Sequence, residues 1–514
     1  MVEKDAKLDT SNELKDAKSQ HQGEEIALGQ RADVAANFLA GVDQSIKDEP
    51  ISSEETRHLL RKIDWILMPL LSFSVILAAV DKVIISNAGI YGMRQDTNFK
   101  NNEYSWIRSI FYSGFLVAEW PGNVLIQKLP IRILYAVTVF GWAVMTFLTG
   151  ATQNFGGLAA VRFIMGIFES IVFPVCTLVT AMWWMVSEQP IRVAIWFNNL
   201  SSIISGLLSY GIGHSHSAIA PWHLLFIVLG VITTLWSVAV YVFMPSSPVE
   251  AWWLNDREKY ICLERVRKSN TGIEDKSVKW YQVKECLLDP KAWLISIAAC
   301  ALNIPNGTLV TFSSIIVNGL GFTPLEITLL GVPTGVVATI WSIAFNVAAS
   351  RLPGYRCILI FTAILFPMVS AICLWRLPQD NRVTLLGPYY AFYSYWAPYT
   401  MATSLPMANT SGHTKKVTFT AMFFLGYCAG NILGPQVFRD NDAPTYHKGY
   451  IGLLASLIVA AVCVALYGLL CKLDNMRRDK LQQGVQLQLT EEEKWREAFS
   501  DQTDKEKLNF RYSY

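Results

Sequence analysis

Apolar runs long enough to cross about 30 Å of hydrocarbon recur along the chain at residues 65–90, 106–126, 133–152, 157–183, 192–214 and 222–245. A polar, charged interval over 246–291 follows, and six further runs appear at 292–318, 325–350, 356–375, 385–406, 416–438 and 449–472. The pattern predicts an all-α membrane protein with twelve transmembrane helices in two pseudo-symmetric six-helix bundles. The expected divisions are a disordered cytoplasmic N-terminal tail (1–56), an N-terminal bundle (57–245), a cytoplasmic central loop (246–291), a C-terminal bundle (292–473) and a cytoplasmic C-terminal tail (474–514). Prolines blur the edges of the eighth and tenth runs.

An internal echo supports the two halves. Lys128-Leu129-Pro130 follows the second run, and Arg351-Leu352-Pro353 follows the eighth, the equivalent place in the second half. Orientation comes from the connections, because lysine and arginine are retained on the cytoplasmic side. Arg57, Arg61, Lys62, Lys128, Arg132, Arg192, Arg351, Arg356, Lys415, Lys416, Lys472, Arg477 and Arg478 fall in one alternating set. The basic residues of the other set mostly stand near acids such as Asp96, Glu103, Asp380 and Asp440. Both termini are therefore expected in the cytosol.

Composition agrees, since 52% hydrophobic and only 16% charged residues over 514 positions exclude an ordinary soluble globule. A net charge of +2 argues against a nucleic-acid binder, whose affinity would rest on neutralising phosphates. The nine cysteines show no ligand-like spacing and read as reduced packing residues. Neither metal nor cofactor is expected. The first 56 residues hold no apolar core next to a basic stretch, so no cleavable signal peptide is expected.

Four charges interrupt the apolar runs: Asp81 and Lys82 in the first, Arg162 and Glu169 in the fourth. Each costs roughly 2.5–3.5 kcal/mol near the bilayer centre, so each asks for a partner or a function. Residues 162 and 169 are seven apart, so on a helix they share one face about 10 Å apart along the axis. Asp81 and Lys82 point about 100° apart as helix neighbours and are not expected to share one contact. Opposite running directions bring Asp81 and Arg162 to a similar depth, in the outer half. The expectation is an Asp81–Arg162 structural or gating pair, with Lys82 and Glu169 turned towards a central cavity. The alternative is a buried network that only holds helices together.

Longer motifs carry a resemblance. Arg162-Phe163-Ile164-Met165-Gly166-Ile167-Phe168-Glu169 with Phe173-Pro174, and the Asp81-Lys82 pair, resemble the anion:cation symporter branch of the major facilitator superfamily. Asn303-Ile304-Pro305-Asn306-Gly307, Thr414-Lys415-Lys416, Gly430-Asn431-Ile432-Leu433-Gly434-Pro435-Gln436, Asp442-Ala443-Pro444-Thr445-Tyr446 and Asn509-Phe510-Arg511-Tyr512 are similar to the fungal allantoate permease subfamily. The resemblance covers the chain from about residue 51 onward. It implies proton-coupled uptake of a small organic anion by rocking of the two bundles, with the site between them near the midplane. Carried over, Glu169 is the proton-coupling residue, Asp81 and Arg162 the gating ion pair, Lys82 the substrate-anion contact, and Asn431 and Asn306 polar contacts from the other half. Asn306 beside Pro305 can equally cap a broken helix. Two departures stand out: lysine replaces the arginine common in the branch at position 82, and the loop after the second helix lacks the usual acid.

The remaining signals read as structure. Gly426, Gly430 and Gly434 form a double GxxxG suited to close helix packing within one bundle. Trp183, Trp184, Trp252 and Trp253 are expected as interfacial anchors. His214 and His216 read as loop residues, and Asn409-Thr410-Ser411 as a silent glycosylation acceptor. Expected partners are a small anionic substrate, protons and the lipid bilayer, with no nucleic acid. Lys4, Lys7, Lys15, Lys18 and Lys47 offer acceptors to ubiquitin ligase machinery, and both polar tails read as disordered. No GxSxG, HExxH or P-loop pattern points to an enzyme. The expected activity is uptake across a fungal plasma membrane; the alternatives are an exporter of an anionic metabolite and a non-transporting nutrient receptor.

Overall fold

Twelve helices carry the chain to and fro between two faces in the computed structural model, which describes residues 49–100, 102–185, 188–196, 201–215, 217–269, 279–377, 382–438, 442, 446–483, 502–507 and 509–514, with residues 38, 41, 42 and 46. The first six are α1 (Ser53–Ala88), α2 (Glu103–Lys128), α3 (Ile131–Thr149), α4 (Phe155–Trp183), α5 (Gln189–Trp196 and Ser201–Gly213) and α6 (Pro221–Phe243). The second six are α7 (Pro290–Gly319), α8 (Pro324–Arg351), α9 (Arg356–Arg376), α10 (Arg382–Phe392, Trp396–Ala402 and Ser404–Ala408, with a 3-10 turn at Tyr393–Tyr395), α11 (His413–Val437) and α12 (His447–Gln483). Each of the twelve apolar runs falls on one of these helices. The lysines singled out in the N-terminal tail, His216, and Ala443 to Thr445 lie outside the described residues.

Local chemistry sets the helix ends. Ser52 and Glu55 form a reciprocal capping box, so α1 starts at Ser53, inside the stretch expected as tail. At both copies of the basic-Leu-Pro echo, the leucine ahead of the proline leaves the helical region, Leu129 at ψ 151° and Leu352 at ψ 64°. A proline disfavours helical backbone in the residue before it, which explains why both helices stop there. The prolines of the eighth and tenth runs mark real breaks: α8 is interrupted at Gly331, and α10 passes through its 3-10 turn.

Within the bundles α3 packs on α6, α2 on α4, α9 on α12 and α7 on α11. Gly426, Gly430 and Gly434 lie against the α7 backbone at Ser296, Cys300 and Ile304, so the double GxxxG joins two helices of one bundle. The bundles meet through α1 with α7, α2 with α11 and α5 with α8; the last two pairs are exchanged by the internal repeat.

Both tails and the central connection share one face. There Lys62 pairs with Glu258 at 2.8 Å, Arg192 with Asp64 at 2.9 Å and Arg265 with Glu188 at 2.6 Å, which ties the Asp256–Ser269 helix to the first bundle. Lys415 pairs with Glu285 at 2.8 Å, which ties the Trp280–Leu287 helix to the second. Towards the opposite face the bundles grip each other directly. Tyr104 donates to the carbonyls of Ile85 and Thr311, both at 3.1 Å, and Ser109 donates to the Ile432 carbonyl at 2.7 Å.

The structure corrects two expectations. The polar C-terminal tail is not simply disordered: residues 502–514, where described, fold back onto the second bundle. Asp504 pairs with Lys415 at 2.7 Å, Tyr512 donates to Asp504 at 2.6 Å, and Asn409 and Ser513 bond each other in both directions at 2.7 Å. Composition misleads here because the anchors are buried polar groups of the bundle, which a tail read by itself does not reveal. Trp183 and Trp184 are not interfacial anchors either. Both are fully buried, Trp183 stacked on Trp253 and Trp184 donating to Asp64 at 2.8 Å, while Trp252 is exposed.

Candidate functional site

A cavity of about 280 Å³ lies between the bundles, walled by α1, α2, α4, α5, α7, α8, α10 and α11. Lys82 and Arg108 reach it from the first bundle, Asn306 and a row of tyrosines from the second.

The four charges form two pairs. Arg162 Nη1 lies 3.4 Å from Asp81 Oδ2, both side chains buried, with the guanidinium 5.3 Å from the Phe226 ring. Lys82 Nζ pairs with Glu169 Oε1. Helix neighbours about 100° apart thus address one base and one acid set two turns apart on α4, because the four-carbon lysine stem covers the difference in height. The Asp81–Arg162 pair is the one the helix phase predicts. Glu169 differs from expectation: it is fully buried against Lys82 rather than open to the cavity. The Lys82 ammonium also faces the rings of Phe111, Phe115 and Phe173 at 5.5–5.8 Å, an apolar seat that stabilises a cation weakly and holds off water.

In the second bundle the two asparagines divide. Asn306 lines the cavity, accepting from the Tyr395 hydroxyl at 3.0 Å and donating to Asn431 Oδ1 at 2.9 Å. Asn431 stands behind it, fully buried, donating to the Tyr427 carbonyl at 3.0 Å and so fixing Asn306 from the rear. The α7 helix runs unbroken through Pro305, so Asn306 does not cap a broken helix.

Sequence reasoning missed Arg108 and the aromatic wall. Arg108 is only 3% exposed and lines the cavity, with Nη1 donating to the Lys82 carbonyl and Nη2 to the Tyr112 hydroxyl, both at 3.2 Å. It stands two residues inside the second apolar run and so resembles an interfacial residue, but α2 begins at Glu103 and carries Arg108 more than a turn inward. Glu119, in the same helix, is a further partly buried carboxylate. The tyrosines crowd Tyr389 to Tyr399, a cluster visible in the sequence, and Tyr389, Tyr393, Trp396 and Tyr399 recur at helical spacing, so one face of α10 carries them to the cavity.

Two six-helix bundles related by an internal repeat, closed around a charged central cavity, define a membrane transporter rather than an enzyme. The family model described as Major Facilitator Superfamily matches residues 71–435, and the chain belongs to that superfamily. It is 35% identical to the MFS-type transporter cnsL of Penicillium expansum, over 94% of this chain and 93% of that protein. It is 32% identical to the allantoate permease of Saccharomyces cerevisiae, over 91% and 89%. The thiamine pathway transporter THI73 of the same yeast is 31% identical over 94% of each. Among solved structures it resembles an inward-facing bacterial homologue of the human lysosomal transporter Spinster, at TM-score 0.61 and 13% identity, covering 82% of this chain and 97% of that one. The xylose transporter XylE of E. coli gives 0.57 at 12% identity, covering 78% and 97%.

Proposed function

We propose that the protein couples proton entry to uptake of a small organic anion by alternating access, at the fungal plasma membrane with both termini in the cytosol. The observation that carries this reading is the Lys82–Glu169 pair beside the cavity. While Glu169 is ionised it neutralises Lys82, and the ammonium has little to offer an anion. A proton on Glu169 breaks the pair and leaves Lys82 as a desolvated cation on the cavity wall, where it holds a carboxylate as a charge-assisted donor. Proton and anion then load together, and neither is favoured alone. Asp81 and Arg162 stand next to this pair and act as the gate that registers its state.

The bundle contacts at Tyr104, Ser109 and their partners seal the face opposite the tails, which on the distribution of basic residues is the outer face. A seal on that face supports reading this state as inward-facing, with release to the cytosol as its step in the proposed cycle. The allantoate permease similarity supports an anionic cargo. The test is accumulation of a panel of radiolabelled organic acids by cells expressing the protein at external pH 5 and pH 7. Accumulation of at least one acid rises at pH 5, and Glu169→Gln removes the rise; accumulation indifferent to pH in the unmodified protein contradicts the proposal.

A further inference from the structure

Three cations and two carboxylates meet at the heart of the first bundle. Asp81 takes Arg162 and Glu169 takes Lys82. The third cation, Arg108, has no carboxylate within ion-pair distance among the described residues, although it acts electrostatically on Asp81, Arg162 and Glu169. A guanidinium carries five N–H donors. Two are engaged, by the Lys82 carbonyl and the Tyr112 hydroxyl, and the Nε donor is buried with no partner. A buried cation in excess of the local carboxylates, with donors to spare on a cavity wall, suits an anionic ligand.

The opposite wall is aromatic. α10 supplies Tyr389, Tyr393, Tyr395, Trp396 and Tyr399, and α11 supplies Tyr427. Most of their hydroxyls are already occupied: Tyr389 and Tyr393 bond each other at 3.3 Å, Tyr395 bonds Asn306 at 3.0 Å, and Tyr427 bonds Tyr112 at 3.2 Å. Tyr399 is stacked on Phe423 and Tyr427, while Tyr393, Trp396 and Tyr427 are only partly buried and offer a ligand ring surface beside their remaining donors; ring surface prefers a flat unsaturated partner. A volume of about 280 Å³ is at the small end for a ligand pocket.

We infer that Arg108 is the resident clamp for the substrate's carboxylate, and that the preferred cargo is a monocarboxylate borne on a flat ring seated against the α10 tyrosines. This rests on the anion-transport reading and narrows it. Arg108 stands on the wall in both protonation states of Glu169, and tight anion binding still requires the Lys82 that only the protonated state releases. The same Tyr112 that holds Arg108 also touches Tyr427 of the second bundle, so the clamp sits on the seam that opens and closes.

Binding calorimetry on the full chain in lipid nanodiscs tests this with benzoate, pyridine-3-carboxylate and pyridine-4-carboxylate, each beside its saturated-ring acid and its primary amide, together with allantoate as an open-chain acid. The ring acids bind about 2–10-fold tighter than their saturated counterparts, the magnitude of a ring–ring contact. Arg108→Gln weakens the acids about 10–100-fold, the worth of charge-assisted hydrogen bonds, and leaves the amides unchanged; Arg108→Lys recovers part of the loss. Equal weakening of acids and amides would mean a purely structural arginine and overturn the clamp. Equal binding of flat and saturated rings, or binding of allantoate alone, would overturn the ring preference while leaving anion transport standing. If no acid of any shape binds, the anion reading itself fails.

Discussion

At the scale of single residues, a buried charge in the membrane is defined by what stands opposite it. Among the described residues Arg162 has one carboxylate partner, Asp81, and both are nearly sealed from solvent. Arg162→Ala leaves Asp81 without that partner and is expected to cost about 3–5 kcal/mol of stability, read as a lower thermal midpoint of the purified protein. Asp81→Asn with Arg162→Gln removes both charges together and restores most of that loss. Lys82→Gln has a different signature: it removes the anion contact itself, and Glu169, which the proposed cycle already protonates, can stay neutral, so anion binding weakens while the fold is retained. Of these roles, the Asp81–Arg162 pair was legible from helix phase and running direction. The Lys82–Glu169 contact was not, because a lysine stem reaches across two helical turns and spacing by itself does not tell where its ammonium ends. Arg108 was hidden by its position near the edge of an apolar run.

Among elements, close backbone approach governs the second bundle. A side chain at Gly430 would strike the Cys300 carbonyl and Asn303 of α7. Gly430→Val is therefore expected to force α11 away from α7, at about 1–3 kcal/mol or more, and to displace Asn431 and with it Asn306; reduced thermal stability of the purified variant checks this. The glycine spacing made this packing readable from sequence, as the apolar runs did the twelve helices and the basic-Leu-Pro echo the helix stops after α2 and α8. The 3-10 turn at Tyr393–Tyr395 was not readable, since a local change of helical pitch leaves no periodic trace.

For the whole molecule, the proposed cycle has the two bundles rock as bodies, and the C-terminal strap ties together helices of one of them. It joins the beginning of α11, the end of α10 and the end of α12 through Lys415, Asn409 and Arg478. Burial disfavours the Asp504 carboxylate, but the Lys415 ammonium and hydrogen bonds from Lys415 and Tyr512 outweigh it and hold its pKa below the ordinary 3.8. A depressed carboxylate stabilises the folded form above its ordinary value and loses that contribution as pH falls through the lowered one. The strap is thus expected to stay docked at neutral pH and to release only below about pH 4. Asp504→Asn is expected to loosen it at neutral pH by roughly 1.5–3 kcal/mol, read as faster proteolysis of the tail. The central claim remains the coupling of proton and anion at Lys82 and Glu169. It is tested most directly by proteoliposomes carrying a pH-sensitive dye, to which the organic-acid panel is added without a membrane potential. The account predicts acid-driven proton influx in the unmodified protein and, in Glu169→Gln, exchange of labelled acid with no proton movement; proton influx that persists in Glu169→Gln would contradict it.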